Sequence, residues 1–170
     1  MLLYVCLSCR CLPLEHQVFF TGTQNAGALP INAYISGCAT PPCGLPQLED
    51  AIINIIFRAP HTMHVMTTLA TAYLSVIGLP VPIPYPLGEN AITCNFLNNS
   101  YCPVLEGEII QYTLHMYIES TFPVGISPTI EFRIVDDNNV AIVCIRVPIT
   151  ILESNSKHAA RNATLVVDAN

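Results

Sequence analysis

Every second residue from Pro80 to Pro86 is a proline: Pro80, Pro82, Pro84 and Pro86. Proline fixes φ near its extended value and has no N–H to give a ladder, so this segment cannot run through the middle of a sheet. It must be an edge strand or a rigid extended border. The residues between the prolines, Leu79, Val81, Ile83 and Tyr85, are all apolar. Side chains two apart on an extended chain share a face, so one side of this border lines an apolar space.

The rest of the chain supplies strands to stand beside it. Ile110, Tyr112, Leu114, Met116 and Ile118 alternate with Gln111, Thr113 and His115; Ile130, Phe132 and Ile134 alternate with Glu131 and Arg133. Val143, Ile145, Val147, Ile149 and Ile151 form one side of a last long strand. Period-two alternation of this kind marks half-buried strands. Ala51 to Phe57 and Val65 to Ile77 are rich in β-branched residues and apolar on both faces, and Ile31 to Ile35 is a further short strand. Breakers punctuate these runs at Pro41-Pro42, Ala59-Pro60, Asn98-Asn99, Pro123 to Pro128 and Asp136 to Asn139. No segment sustains a helical period. About seven punctuated strands predict an all-β antiparallel sandwich.

A length of 170 residues suits one domain with short extensions. The expected organisation is 1–16 as a degraded leader or Cys-rich N-terminal arm, 17–152 as the sandwich and 153–170 as a tail. Met1 to Leu14 is apolar, but it lacks a basic start, is interrupted by Arg10 and precedes no small-x-small cleavage site. Net charge is −6, from 6 basic and 12 acidic residues, which argues against a nucleic-acid partner. Hydrophobic residues make up 52% and charged ones 11%, an apolar interior larger than a domain of this size requires. The uncharged stretches 16–48 and 59–88 are too interrupted by Gly, Pro and Thr to read as membrane-spanning helices.

No catalytic constellation stands out. His61 and His64 lie three apart with no third ligand in view, and Asp136-Asp137-Asn138-Asn139 is ordinary turn chemistry between strands. Phosphate loops and nucleophile elbows are not found. The expectation is no enzyme, no cofactor and no metal. Eight cysteines outside metal-binding spacing favour disulfides and an oxidising compartment, and Asn98 and Asn162 each begin a glycosylation sequon.

Taken in order, Phe20-Thr21, Gly37-Cys38 with Pro42-Cys43, Pro80-Val81-Pro82-Ile83-Pro84, Cys94 with Cys102-Pro103, Phe122-Pro123, Asp136-Asp137 and Cys144 before Val147-Pro148 resemble the ML lipid-recognition family. That family includes the soluble Niemann–Pick type C sterol carriers and the group 2 house-dust-mite allergens; the proline run is nearer the sterol-carrier branch. The resemblance implies an immunoglobulin-like β-sandwich whose two sheets splay to hold a lipid in an apolar cavity between them. It implies disulfides Cys38–Cys43 and Cys94–Cys102, and a pocket lined by Ile83, Tyr85, Ile118 and Phe122, with Ile83 standing where the carrier has an aromatic ring. The family also has a cysteine just after its first strand, paired with the one in the last long strand. Thr23-Gln24 occupies that place here, so Cys144 lacks its expected partner, with Cys6, Cys9 or Cys11 as substitutes.

The implied function is a secreted or lysosomal, monomeric carrier of a sterol, fatty acid or other small hydrophobic ligand, with a membrane sterol transporter as a partner. The alternative is a lipid-recognition module in innate immune signalling that acts through a protein receptor. A basic cluster at the pocket mouth would favour the alternative, because such lipids carry phosphate.

Overall fold

Alternating burial decides which faces of this chain meet. The computed structural model describes residues 30–155, together with Arg10–Cys11 and Thr21–Gly22. Those two short segments, β1 (Arg10–Cys11) and β2 (Thr21–Gly22), pair with each other antiparallel. A three-stranded antiparallel sheet runs in the order β3 (Asn32–Ile35), β5 (Asp50–Arg58), β8 (Ile109–Tyr117). The second sheet has five strands in the order β4 (Cys43–Pro46), β10 (Ala141–Leu152), β9 (Thr129–Asp136), β6 (Met66–Val76), β7 (Leu79–Tyr85). The all-β sandwich expected from the alternation is therefore present, with eight strands in its two sheets. The short strand β4 was not anticipated. It lies parallel to β10, with Cys43 opposite Ile149 and Pro46 opposite Leu152.

The inward faces carry the alternating sets. Ile53, Ile55 and Phe57 of β5 and Ile110, Tyr112 and Leu114 of β8 are buried on one sheet. Phe132 and Ile134 of β9 and Ile145, Val147 and Ile149 of β10 are buried on the other. Each fully buried side chain of this size contributes roughly 1.5–3 kcal/mol relative to exposure, so these two stripes hold the sheets together.

The proline run forms β7 at the edge of the five-stranded sheet, joined to β6 by a two-residue turn at Ile77-Gly78. Pairing sets Ile83 against Ala72 and Tyr85 against Ala70. Because proline has no N–H, the ladder to β6 is carried by the residues between the prolines, and the proline nitrogens face the free edge.

Two disulfides fix the loops: Cys38–Cys43 (S–S 2.02 Å) and Cys94–Cys102 (S–S 2.01 Å). Cys144, buried on β10, is also disulfide-bonded. With the other four committed to each other, only Cys6, Cys9 and Cys11 remain within the chain. Thr23, Gln24 and the second sequon, Asn162, also lie outside the described residues. Of the expected tail, Ser154 is buried and the Asn155 amide donates to Glu49 Oε1 at 2.6 Å, so the chain stays attached at least that far. Among the described residues no helix is long and apolar enough to cross a membrane.

Candidate functional site

The sandwich has two unlike ends. At one, Met66 of β6 pairs with Asp136 of β9; at the other, Tyr73 pairs with Thr129. The second end is where β7 lies, where the chain crosses from β4 to β5, and where it crosses back from β8 to β9.

Three of the four residues expected to line a pocket gather here. The rings of Tyr85 and Phe122 meet at 5.7 Å between centroids, tilted by 53°. The Tyr85 hydroxyl donates to the Tyr117 carbonyl at 2.7 Å, which ties β7 of one sheet to β8 of the other. Ile118, the next residue, is buried; its N–H donates to the Glu49 carbonyl and its carbonyl accepts from the Leu48 N–H. The fourth, Ile83, stands two residues before Tyr85 on the same face of β7 and is 45% exposed. Leu79 and Val81 continue that row and are more than a third exposed, as is Val124 in the β8–β9 crossing. Leaving so much apolar surface half-covered is unusual for a closed core edge and typical of a binding rim.

The rim carries acidic groups rather than basic ones. Burial, then Glu119 and Asp50, push the Tyr85 phenol above its ordinary value, so it remains a donor to Tyr117. Two of the few cations, Arg133 and Arg146, pair with the buried carboxylate of Glu131 on the outer face of the five-stranded sheet, where Arg146 also stacks over Tyr73 at 4.6 Å. Arg58 donates to the Gly107 carbonyl at the opposite end. Among the described residues no basic cluster stands at the rim.

One feature of this end carried no signal in the sequence. Gln47 follows Cys43 and Leu45 in the inward alternation and is only 3% exposed. Its Nε2 donates to the carbonyls of Ser120 (3.1 Å) and Phe122 (2.6 Å), joining the two crossings. The other end is closed by polar locks. Asp136, buried, accepts from the N–H groups of Asn138 (2.9 Å) and Val140 (2.8 Å) and pairs with His61 Nε2 at 2.9 Å. The histidine and the aspartate, each unremarkable alone in the sequence, are partners across 75 residues. Nearby, the hydroxyl of Thr68 contacts those of Thr93 (2.7 Å) and Tyr112 (2.8 Å) in the buried interior. Burial pushes the Tyr112 phenol up to about 12, despite the two threonine hydroxyls.

A cleft beside the Cys94–Cys102 loop, lined among others by Asn98, Ser100, Tyr101, Leu105 and Glu108, is mixed in character and open to solvent. An open cleft of this kind would leave much of an apolar ligand in water. Asn98 itself is exposed, its side-chain amide donating to Thr113 Oγ1 at 2.7 Å.

A sequence model of the ML domain matches residues 25–151. The chain belongs to the ML domain family. It is 24% identical over 135 residues to NPC intracellular cholesterol transporter 2 of Danio rerio, covering 79% of this chain and 85% of that protein. The Mus musculus protein of the same name is 27% identical over 117 residues, 69% of this chain and 73% of that one. Among solved structures, a Niemann–Pick type C2 protein from the Japanese carpenter ant superposes with a TM-score of 0.65 at 20% identity, covering 78% of this chain and 98% of that one. That likeness establishes the same β-sandwich fold.

Proposed function

We propose that this ML-domain protein is a non-enzymatic carrier that holds a sterol or similar small hydrophobic lipid between its two sheets, entered at the Tyr85–Phe122 end. One observation carries the reading: a family sandwich leaves the apolar row Leu79, Val81, Ile83 half-covered beside Tyr85 and Phe122, while its opposite end is sealed by hydrogen bonds. Ile83, Tyr85, Ile118 and Phe122 form the entrance wall. The similarity to NPC intracellular cholesterol transporter 2 supports a sterol as ligand.

Burial supplies the energy. A sterol-sized ligand presents ~350 Å² of apolar surface, up to roughly 9 kcal/mol at about 25 cal/mol per Å². Association costs of several kcal/mol leave micromolar to submicromolar affinity. In this reading the protein works as a monomer in a secreted or lysosomal setting, carries a glycan on Asn98 away from the entrance, and passes its cargo to a membrane sterol transporter. Recognition of phosphate-bearing microbial lipids loses support, because Arg133 and Arg146 are engaged by Glu131 and the rim is acidic.

Titration of the purified protein with a fluorescent sterol tests the proposal. Saturable binding at one site is expected, and organic extraction followed by mass spectrometry should recover a co-purified lipid. No saturable binding of sterols, fatty acids or other small lipids overturns it.

A further inference from the structure

We infer that Gln47 is a specificity-determining residue whose side-chain carbonyl accepts a hydrogen bond from a hydroxyl of the bound lipid, so that this protein selects lipid alcohols. The inference rests on the carrier reading above. Gln47 is 97% removed from solvent by its 3% exposure, faces inward with Cys43 and Leu45, and sits at the end where Tyr85 and Phe122 meet. Its amide cannot be turned over without loss, because Nε2 already serves the carbonyls of Ser120 and Phe122. That fixes the position of Oε1, which is the one buried side-chain polar atom among the described residues with no hydrogen-bond partner.

A buried acceptor without a donor is a standing cost, and a ligand that brings a donor removes it. An amide oxygen held in this way has no hydrogen to offer. A carboxylate or a ketone therefore gains nothing from it, whereas a hydroxyl does. The acidic neighbours Glu119 and Asp50 near Tyr85 further disfavour an anionic head group at this end.

Cholesterol and its 3-ketone, cholestenone, test this with the full chain, since the two share their apolar skeleton and differ in the donor. Wild-type protein should prefer the alcohol by on the order of tenfold, the contribution of one neutral hydrogen bond. In Gln47→Met the ratio should fall to about one, any loss from freeing the Ser120 and Phe122 carbonyls being common to both sterols. Equal affinities in the wild type, or a preference that survives Gln47→Met, overturns the assignment of Gln47 while leaving the carrier reading intact. No saturable binding of either sterol overturns the assignment, and overturns the carrier reading as well when fatty acids and other small lipids also fail to bind. Should Gln47→Met fail to fold by circular dichroism, the wild-type ratio and a structure of the cholesterol complex decide. A sterol oxygen within hydrogen-bond distance of Gln47 Oε1 supports the assignment, and a sterol hydroxyl bonded elsewhere overturns it.

Discussion

The two ends of the sandwich use the same strands to opposite purpose. At the Asp136 end every polar group described finds a partner: the carboxylate takes two backbone N–H groups and His61, and Thr68 joins Thr93 and Tyr112. At the Tyr85 end the Tyr85 hydroxyl and Gln47 Nε2 also make polar contacts, but the apolar row Leu79, Val81 and Ile83 stays more than a third exposed and one buried amide oxygen is left over. In the proposed carrier, the contrast means that stability and binding are drawn from different places along the same strands. Substitutions at the two ends should therefore separate the two properties.

The largest effect is expected at the open end. Ile83→Asp or Phe122→Asp places a charge against an apolar space, which costs several kcal/mol unless solvated. Fluorescent-sterol binding should drop by more than about a hundredfold while circular dichroism is unchanged. Wild-type binding by both variants would remove these residues from the entrance. Next comes the closed end. Asp136→Ala strips the N–H groups of Asn138 and Val140 of their acceptor and should lower unfolding free energy in urea by about 2–4 kcal/mol, with sterol affinity of the folded protein unchanged. A variant that loses binding in step with stability would erase the division between the ends.

A pH titration sharpens the same point. Burial alone would raise the Asp136 carboxyl. The N–H groups of Val140 and Asn138, with His61, outweigh it and hold the carboxyl below its ordinary 3.8. Its contribution is thus complete above that value and is lost as pH falls through the lower folded-state value. Wild-type stability measured in urea should fall more steeply below pH ~4 than that of Asp136→Asn. Parallel curves would show that this carboxylate is not the group responsible. The smallest effect is expected for Tyr85→Phe, which removes only the hydrogen bond to Tyr117 and keeps the ring against Phe122. A loss of about 1 kcal/mol in stability and little change in binding is the expected outcome. A large loss of binding would mean that the hydroxyl, rather than the ring, matters at the entrance.

How much of this was legible in the chain follows from what is local. The edge position of β7 could be read from its prolines, because the missing N–H is a property of the residues themselves. The buried faces of β8, β9 and β10 followed from alternation alone. Both loop disulfides join cysteines five and eight residues apart, short loops that the residues themselves suggest and that family resemblance also implies. Strand β4 was hidden because four residues, two of them glycine and proline, carry no period, and its pairing with β10 spans the chain. His61 and Asp136 were each set aside because a single residue in a turn says nothing about what lies across the sheet. Gln47 gave no warning at all. A polar residue at the end of a short strand is ordinary in sequence, and only its burial and its unmatched oxygen make it informative.

The prolines of β7 have one more consequence, for how such a protein can change over generations. The main chain there is held extended by Pro80, Pro82 and Pro84, whatever side chains stand between them. Leu79, Val81 and Ile83 are thereby relieved of any duty in shaping the backbone. If the protein carries its ligand as proposed, replacing one apolar residue by another at these positions would alter the contour offered to cargo without asking the sheet to reorganise. Three positions could then be edited for new cargo while the scaffold that presents them is inherited intact.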